Sequence, residues 1–307
     1  MAGLRIIATG NGQANRVITN FDLEKIMDTN DEWITTRTGI HERRYVDENQ
    51  NNTTMALDGA WQAIHQSGID PTDIHVLIVA TFTPYHKTPS ISADVAKELG
   101  LAENSLCFDL NAACSGFIYA TTVANALLAQ RKEGYALVIG SEILTNVTNY
   151  DDRGTAVLFG DGAGAVLLQY DEQTTFASVA GFVPDVDNVL SAPKELGKVV
   201  MDGQAVFRFA TEKMTYAVKQ LLNENAITLE DVDLIIPHQA NKRIIDFAAK
   251  KLRCDVNKFF LNIQHYGNTS SASIPIALHE ANVGKNKTII CVGFGAGLNY
   301  GAILIRT

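Results

Sequence analysis

Apolar runs of strand length alternate with longer segments of helical periodicity along most of this 307-residue chain. HVLIVATFT (75–83) is a continuous apolar run suited to a buried strand. ISADVAKELGL (91–101) follows with helical spacing and Gly100 where a helix would stop. SLCFDLNAAC (105–114) predicts a second strand, SGFIYATTVANALLAQ (115–130) a long helix, and YALVIGSE (135–142) and GAGAVLLQ (162–169) two more strands. The order then returns. VDLIIPHQAN (232–241), RIIDFAAKKL (243–252), FFLNIQHYGN (259–268) and SSASIPIALHEA (270–281) read as strand, helix, strand and long helix, closed by the strands TIICVGFGAG (288–297) and NYGAILIRT (299–307). Such alternation predicts an α/β protein with a mostly parallel sheet covered by helices, present twice. The boundary falls near residue 171, dividing the chain into halves 1–170 and 171–307.

Composition narrows the class. Hydrophobic residues are 46% and charged residues 19%, enough apolar mass for the large interior such a fold needs. No apolar run approaches the roughly 20 residues of a membrane span, and LRIIATGNG is broken too soon for a signal peptide, so a cytoplasmic protein without a membrane role is expected. The net charge of −9 argues against a nucleic-acid partner. Cys107, Cys114, Cys254 and Cys291 stand singly, without metal-type spacing, so neither a metal site nor a disulfide framework is expected.

The duplication directs attention to strand-to-helix junctions, where open α/β sheets bind ligands. LNAACSGF (110–117) places Cys114 among the small residues Ala112, Ala113, Ser115 and Gly116 at one such junction. Close helix packing accounts for such a cluster equally well. At the second junction, HYGNTSSAS puts Asn268 at the place taken as matching Cys114, with His238 in the turn after the preceding strand. A thiol at a helix N-terminus is drawn toward thiolate and can act as a nucleophile. The small neighbours leave room for an acyl group and expose amides to its oxygen, while a histidine and an asparagine can donate to a carbonyl that becomes an enolate. A lone histidine or asparagine at a strand end is more often structural, and only the matched junctions favour chemistry here.

AACSGF around Cys114, PHQAN (237–241), HYGNTSSAS (265–273), DEWITTRTGI (31–40) and DRGTAVLFGDGAGAV (152–166) together resemble the β-ketoacyl-[acyl carrier protein] synthase III family. The resemblance runs from the first strand to the last. It implies a duplicated thiolase-like fold, five-layered αβαβα with two mixed, mostly parallel five-stranded sheets, and a homodimer. It also implies a decarboxylating Claisen condensation: an acyl-coenzyme A primer acylates Cys114, and malonyl-acyl carrier protein then gives 3-oxoacyl-acyl carrier protein, coenzyme A and CO2. No cofactor is implied beyond these thioester substrates. In this resemblance Cys114, His238 and Asn268 are catalytic, the amides of Cys114 and Ala296 form the oxyanion hole, and Trp33, Arg37 and Arg153 hold coenzyme A. Thr88 in HKTPSIS (86–92) gates the primer pocket, where some members carry phenylalanine, and so implies primers larger than acetyl. Arg243 docks the carrier protein. Arg43 and Arg44 in RTGIHERR read as an ordinary solvated charge cluster.

Where the resembled family shows three glycines after the phenylalanine this chain has FGAG, and Ala296 at the middle position is harmless at negative φ and costly at positive φ. The glycine-rich stretches GDGAGAV and GFGAGLNYG lead into strands and lack phosphate-loop spacing, so no nucleotide loop follows. A thiolase would need a second reactive cysteine, and Cys291 lies inside an apolar strand; a hydroxymethylglutaryl-type synthase would need a glutamate near the nucleophile, and none occupies 105–132. A related condensing enzyme of secondary metabolism, using malonyl-coenzyme A or a special primer, is the alternative. A silent acyl-binding subunit would lack the nucleophile.

Overall fold

The computed structural model describes residues 3–307. Nine strands form one continuous sheet among the described residues: β1 (Gly3–Gln13), β2 (Ile74–Ala80), β3 (Leu106–Leu110), β4 (Tyr135–Glu142), β5 (Gly162–Asp171), β6 (Ala177–Phe182), β7 (Leu234–Pro237), β8 (Thr288–Gly295) and β9 (Asn299–Arg306). Their order is β7-β8-β9-β1-β5-β4-β2-β3, with β6 also paired to β9. The first half contributes β3-β2-β4-β5-β1 and the second repeats it as β7-β8-β9-β6. The halves join where Arg5 of β1 pairs with Arg306 of β9. Four pairings are parallel (β1–β9, β7–β8, β2–β3, β2–β4) and four antiparallel (β1–β5, β8–β9, β9–β6, β4–β5) among the described residues, so the sheet is mixed in equal measure.

The second half lacks the long strand expected at 259–268. One bridge, Phe259 to Ile235, marks its place, and Ile263–Tyr266 is helical. The Gln239 side chain explains this: its Oε1 accepts the N–H groups of Asn262 and Ile263, while its Nε2 donates to the carbonyls of Pro237 and Phe260. A side-chain amide has replaced the strand ladder, satisfying the backbone by other means.

Among the described residues, seven longer helices build the layers: α1 (Asp31–Thr38), α2 (Asn52–Ser67), α3 (Ile91–Leu99), α4 (Gly116–Arg131), α5 (Gly203–Glu224), α6 (Lys242–Leu252) and α7 (Ser273–Ala281). Helices α2 and α3 cover one outer face and α5 and α6 the other, while α4 and α7 lie between the two half-sheets. The middle helices are apolar or small nearly all round, as burial on both sides requires. Phe117, Ile118 and Ile274 join Ile78, Val138 and Ile303 in that central core.

The caps differ in a way that bears on function. Asn30, Asn51, Ser90, Asp202 and Asn241 cap the outer helices and α1 through their side chains. The central helices α4 and α7 have no side-chain cap, and each is preceded by a 3-10 turn, Ala113–Ser115 and Ser270–Ala272. Their first amides are therefore free of side-chain acceptors.

Arg43 overturns its reading as a solvated charge. It is fully buried, donating to the Ile18 and Val157 carbonyls and to Asn20 Oδ1. Burial pulls its guanidinium down to about 10, so it stays charged at neutral pH and pins the small two-stranded sheet Arg16–Thr19/Glu42–Tyr45 to the body. Arg44 is half-buried over the Tyr266 ring, 5.8 Å from its centroid.

Candidate active site

Cys114 lies in the 3-10 turn between β3 and α4, just after Ala113, whose φ of 47° is left-handed. Small side chains permit this strained elbow, since a bulky or branched residue pays more there. The extended Gly295 backbone runs directly over the turn, and a Cβ built there would stand 2.7 Å from the Cys114 nitrogen and 3.1 Å from that of Ser115. Only glycine lets β8 approach this closely. The left-handed residues of the next turn are Gly297 and Leu298, and Ala296 is not among them, so its methyl is accommodated without backbone strain.

The second half presents the same elbow. Ser270 has φ 51° and opens the turn before α7. Asn268 Oδ1 accepts the Ser270 N–H at 2.8 Å, as Asn111 Oδ1 accepts that of Ala113 at 3.1 Å. Asn268 therefore matches Asn111, and the counterpart of Cys114 is Ser271; the expected pairing of Cys114 with Asn268 was three residues out of register. Aligning LNAACSGF with GNTSSASI shows the correct match in the sequence itself.

His238 follows β7, its N–H donating to the Val292 carbonyl at 2.8 Å. Its Nδ1 is 2.6 Å from Ser273 Oγ, which also accepts the Gln239 N–H at 3.4 Å. The Ser273 hydroxyl engages Nδ1, and the tautomer in which it gives that nitrogen its hydrogen keeps the neutral imidazole proton on Nε2. Burial pulls His238 down to about 3, so it is neutral at physiological pH. Asn268 spends its oxygen on Ser270 and keeps the Nδ2 hydrogens. Both residues can thus donate to a carbonyl oxygen while uncharged.

Cys114, His238, Asn268 and Ala296 line a single cavity of about 1380 Å3, together with Trp33, Arg37 and Arg243. The Arg37 and Arg153 guanidiniums lie 4.7 and 5.0 Å from the Trp33 ring centroid. Arg153 itself is tied to Asp28 outside the lining, although its neighbour Gly154 is part of it. Arg243 is exposed in the first turn of α6, where the helix dipole disfavours a cation, so helix stability does not account for it. Lys250 and Lys251 occupy the last turn, where the dipole favours them. Thr88 is exposed and stands apart from its own chain's cavity.

Two family models match the chain, the 3-oxoacyl-[acyl-carrier-protein] synthase III domain at residues 108–183 and its C-terminal domain at 222–307. The β-ketoacyl-[acyl-carrier-protein] synthase III of Clostridium acetobutylicum is 42% identical over 324 aligned residues, spanning 100% of this chain and 99% of the relative. This chain belongs to the β-ketoacyl-[acyl-carrier-protein] synthase III family. The crystal structure of the Aquifex aeolicus member superposes with a TM-score of 0.95 at 43% identity, covering 99% of this chain and all of that one. The priming β-ketosynthase of the R1128 polyketide pathway gives 0.92 at 32% identity, covering 99% of this chain and 96% of its own. The protein is a condensing enzyme of the acyltransferase type with a duplicated, thiolase-like fold.

The synthase holds its thiol differently from the simple helix-end expectation. Burial pushes Cys114 up to about 12, opposed by the nearby Ser270 hydroxyl and reinforced by the Glu142 charge. Glu142, at the end of β4, is the glutamate near the nucleophile, although it lies outside the 105–132 stretch around Cys114 in the sequence. It is fully buried and outside the cavity lining, so it does not face a substrate. Ser270 and Ser273 were also missed; small hydroxyls in HYGNTSSAS read as packing residues until the fold brings them to Cys114 and His238.

Proposed function

We propose that this synthase transfers an acyl primer from coenzyme A to Cys114 and condenses it with a malonyl group carried by acyl carrier protein. One observation supports the reading: Cys114, His238, Asn268 and Ala296 line one cavity together with Trp33, Arg37 and Arg243. The Cys114 and Ala296 amides receive the oxyanion as sulfur attacks the primer thioester. His238 Nε2–H and Asn268 Nδ2–H then hold the malonyl carbonyl as CO2 leaves, stabilising the enolate that attacks the acyl-enzyme. A neutral histidine suits this step because it donates without first losing a proton. Trp33, Arg37 and Arg153 bind the coenzyme A nucleotide through stacking and phosphate pairing. Arg243 docks the acidic carrier protein.

The reading includes a homodimer. Leu106 at 53% exposure and the exposed Cys107 leave β3 as an apolar sheet edge suited to a partner, and in this reading Thr88, exposed in the loop before α3, gates the partner's primer pocket. The halves 1–170 and 171–307 act as one catalytic unit, with no cofactor beyond the thioester substrates. No helix among the described residues is long and apolar enough to cross a membrane. The polyketide-priming relative favours, as a second reading, a role in secondary metabolism with the same chemistry.

The test is product analysis. The protein is incubated with acetyl-, isobutyryl- and octanoyl-coenzyme A together with malonyl-acyl carrier protein, and the products are identified by mass spectrometry. A 3-oxoacyl-carrier product is expected, with branched or longer primers accepted because Thr88 is small. Labelling by acetyl alone refutes the gate assignment, and product formation by Cys114→Ala refutes the acyl-enzyme. Condensation with malonyl-coenzyme A in place of the carrier substrate supports the second reading.

A further inference from the structure

Two side chains that can accept a proton line the cavity, His238 and Asp202, and Asp202 is engaged in capping α5 through the Gln204 and Ala205 amides. His238 has its Nδ1 committed to Ser273 and is held neutral by burial. Beneath the thiol, however, lies a buried carboxylate with an unusual ring of donors. Glu142 Oε1 accepts from Ser270 Oγ at 3.1 Å and Ser271 Oγ at 2.9 Å. Its Oε2 accepts from Thr81 Oγ1, Thr83 Oγ1 and the Phe82 and Thr83 amides at 2.5–3.2 Å. These hydroxyls and amides, with the Cys114 thiol, are the groups that face it, and no basic side chain pairs with it among the described residues. Ser270 is the one hydroxyl of this ring that also lines the cavity, as Cys114 does, and the turns that carry the two residues pack against each other. The two elbows are packed back to back, since a Cβ at Gly116 would lie 3.2 Å from that of Ser271.

We propose that Glu142, acting through Ser270, takes up the proton of the Cys114 thiol as the sulfur attacks the primer thioester. The inference rests on the acyl-transfer reading above. Ser270 has one hydroxyl hydrogen and two neighbours that want it. At rest Cys114 keeps its proton and Ser270 donates to Glu142. On attack the S–H bond breaks, Ser270 Oγ accepts that proton and passes its own to Glu142, and the sulfur electron pair forms the S–C bond. When the adduct collapses, the bond to coenzyme A breaks and its electron pair goes to the departing sulfur. That sulfur recovers the proton from Glu142 by the same route, and Glu142 is again a carboxylate. Burial raises the carboxyl of Glu142 above the usual range, which brings acceptor and donor closer in proton affinity.

The test uses the intact protein and the variants Glu142→Gln, Glu142→Asp, Ser270→Ala and the double variant Glu142→Gln/Ser270→Ala. Single-turnover acylation by acetyl-coenzyme A and alkylation by iodoacetamide are followed across the neutral and alkaline pH range. Each single non-conservative change should slow acylation on the order of 10²-fold, the scale of lost general acid–base help. The double variant should be no slower than either, because one path is cut twice, and Glu142→Asp should recover part of the rate. Removing the carboxylate charge should also move the alkylation profile of Glu142→Gln to lower pH, which a merely structural role would not do. Acylation at the wild-type rate in either single variant, additive losses, or an unshifted alkylation profile overturns the proposal. If Glu142→Gln does not fold by circular dichroism, Ser270→Ala carries the test alone. Should the wild-type protein accept no acyl-coenzyme A at all, the acyl-transfer reading fails, while alkylation still reports whether Glu142 governs the thiol.

Discussion

Replacing Gly295 by alanine should damage the proposed oxyanion hole without touching a polar side chain. Gly295 has φ −165° and ψ −176°, extended backbone that alanine adopts freely, so the substitution carries no torsional penalty. Its cost is steric. The new methyl would stand 2.7 Å from the Cys114 nitrogen, 3.1 Å from the Ser115 nitrogen and 3.3 Å from the Ala113 Cβ. Comfortable carbon contacts lie at about 3.5–4.0 Å, so the elbow must yield by most of 1 Å, and the yielding atoms are backbone. Overpacking of this kind costs about 1–3 kcal/mol in stability. Displacing one oxyanion donor costs about 10²–10³ in rate, or about 2.7–4 kcal/mol of transition-state stabilisation. Single-turnover acylation by acetyl-coenzyme A measures the rate, and thermal unfolding measures the stability. Acylation within twofold of wild type would refute both the close approach of β8 to the elbow and the role of the Cys114 amide.

Ala296→Gly should leave acylation unchanged within about twofold and lower stability by at most about 1 kcal/mol, because the position already lies outside the left-handed region and glycine adds only unfolded-state freedom; a clear gain in rate would show that the methyl obstructs the site. His238 has an ordinary value of 6.5 when unfolded and about 3 when buried, so the unfolded chain binds a proton that the native chain refuses across that interval. Stability should therefore fall as pH drops from 6.5 toward 3, by a few kcal/mol at the lower end. His238→Asn should flatten that part of the curve in urea titrations, and an unchanged slope contradicts the neutral assignment. Arg243→Glu should raise the KM for malonyl-acyl carrier protein about tenfold or more while leaving acylation by acetyl-coenzyme A intact; equal losses in both assays would remove Arg243 from docking.

Much of this architecture is legible in the amino-acid pattern. The β4 run YALVIGSE and the helix α6 over Lys242–Leu252 fall almost where their periodicity puts them, because each is buried as a regular element. The pattern fails at 259–268, where the residues alternate like a strand but the backbone partners are the side-chain atoms of Gln239. Arg43 fails for a related reason: a charged residue in RTGIHERR looks solvated until distant carbonyls are folded around it. At the site, Cys114, His238 and Asn268 stand out by type and position, yet Glu142 does not. Nothing in sequence spacing joins the end of β4 to Ser270, 128 positions away, and only the sheet makes them neighbours.

The uncapped ends of α4 and α7 have a further consequence for how the molecule senses its surroundings. Both helices begin at turns bordering Glu142, so the positive ends of two peptide dipoles stand where a buried carboxylate would otherwise need a cation. Dissolved ions weaken attractions between groups that water can reach; they have little purchase on a charge sealed inside and balanced by fixed dipoles. Trp33, Arg37 and Arg243 meet solvent at the other end of the cavity. Ionic strength therefore acts on this protein from the outside in: it tunes how readily a charged thioester is captured, and leaves the reactivity of the sulfur as the fold has set it.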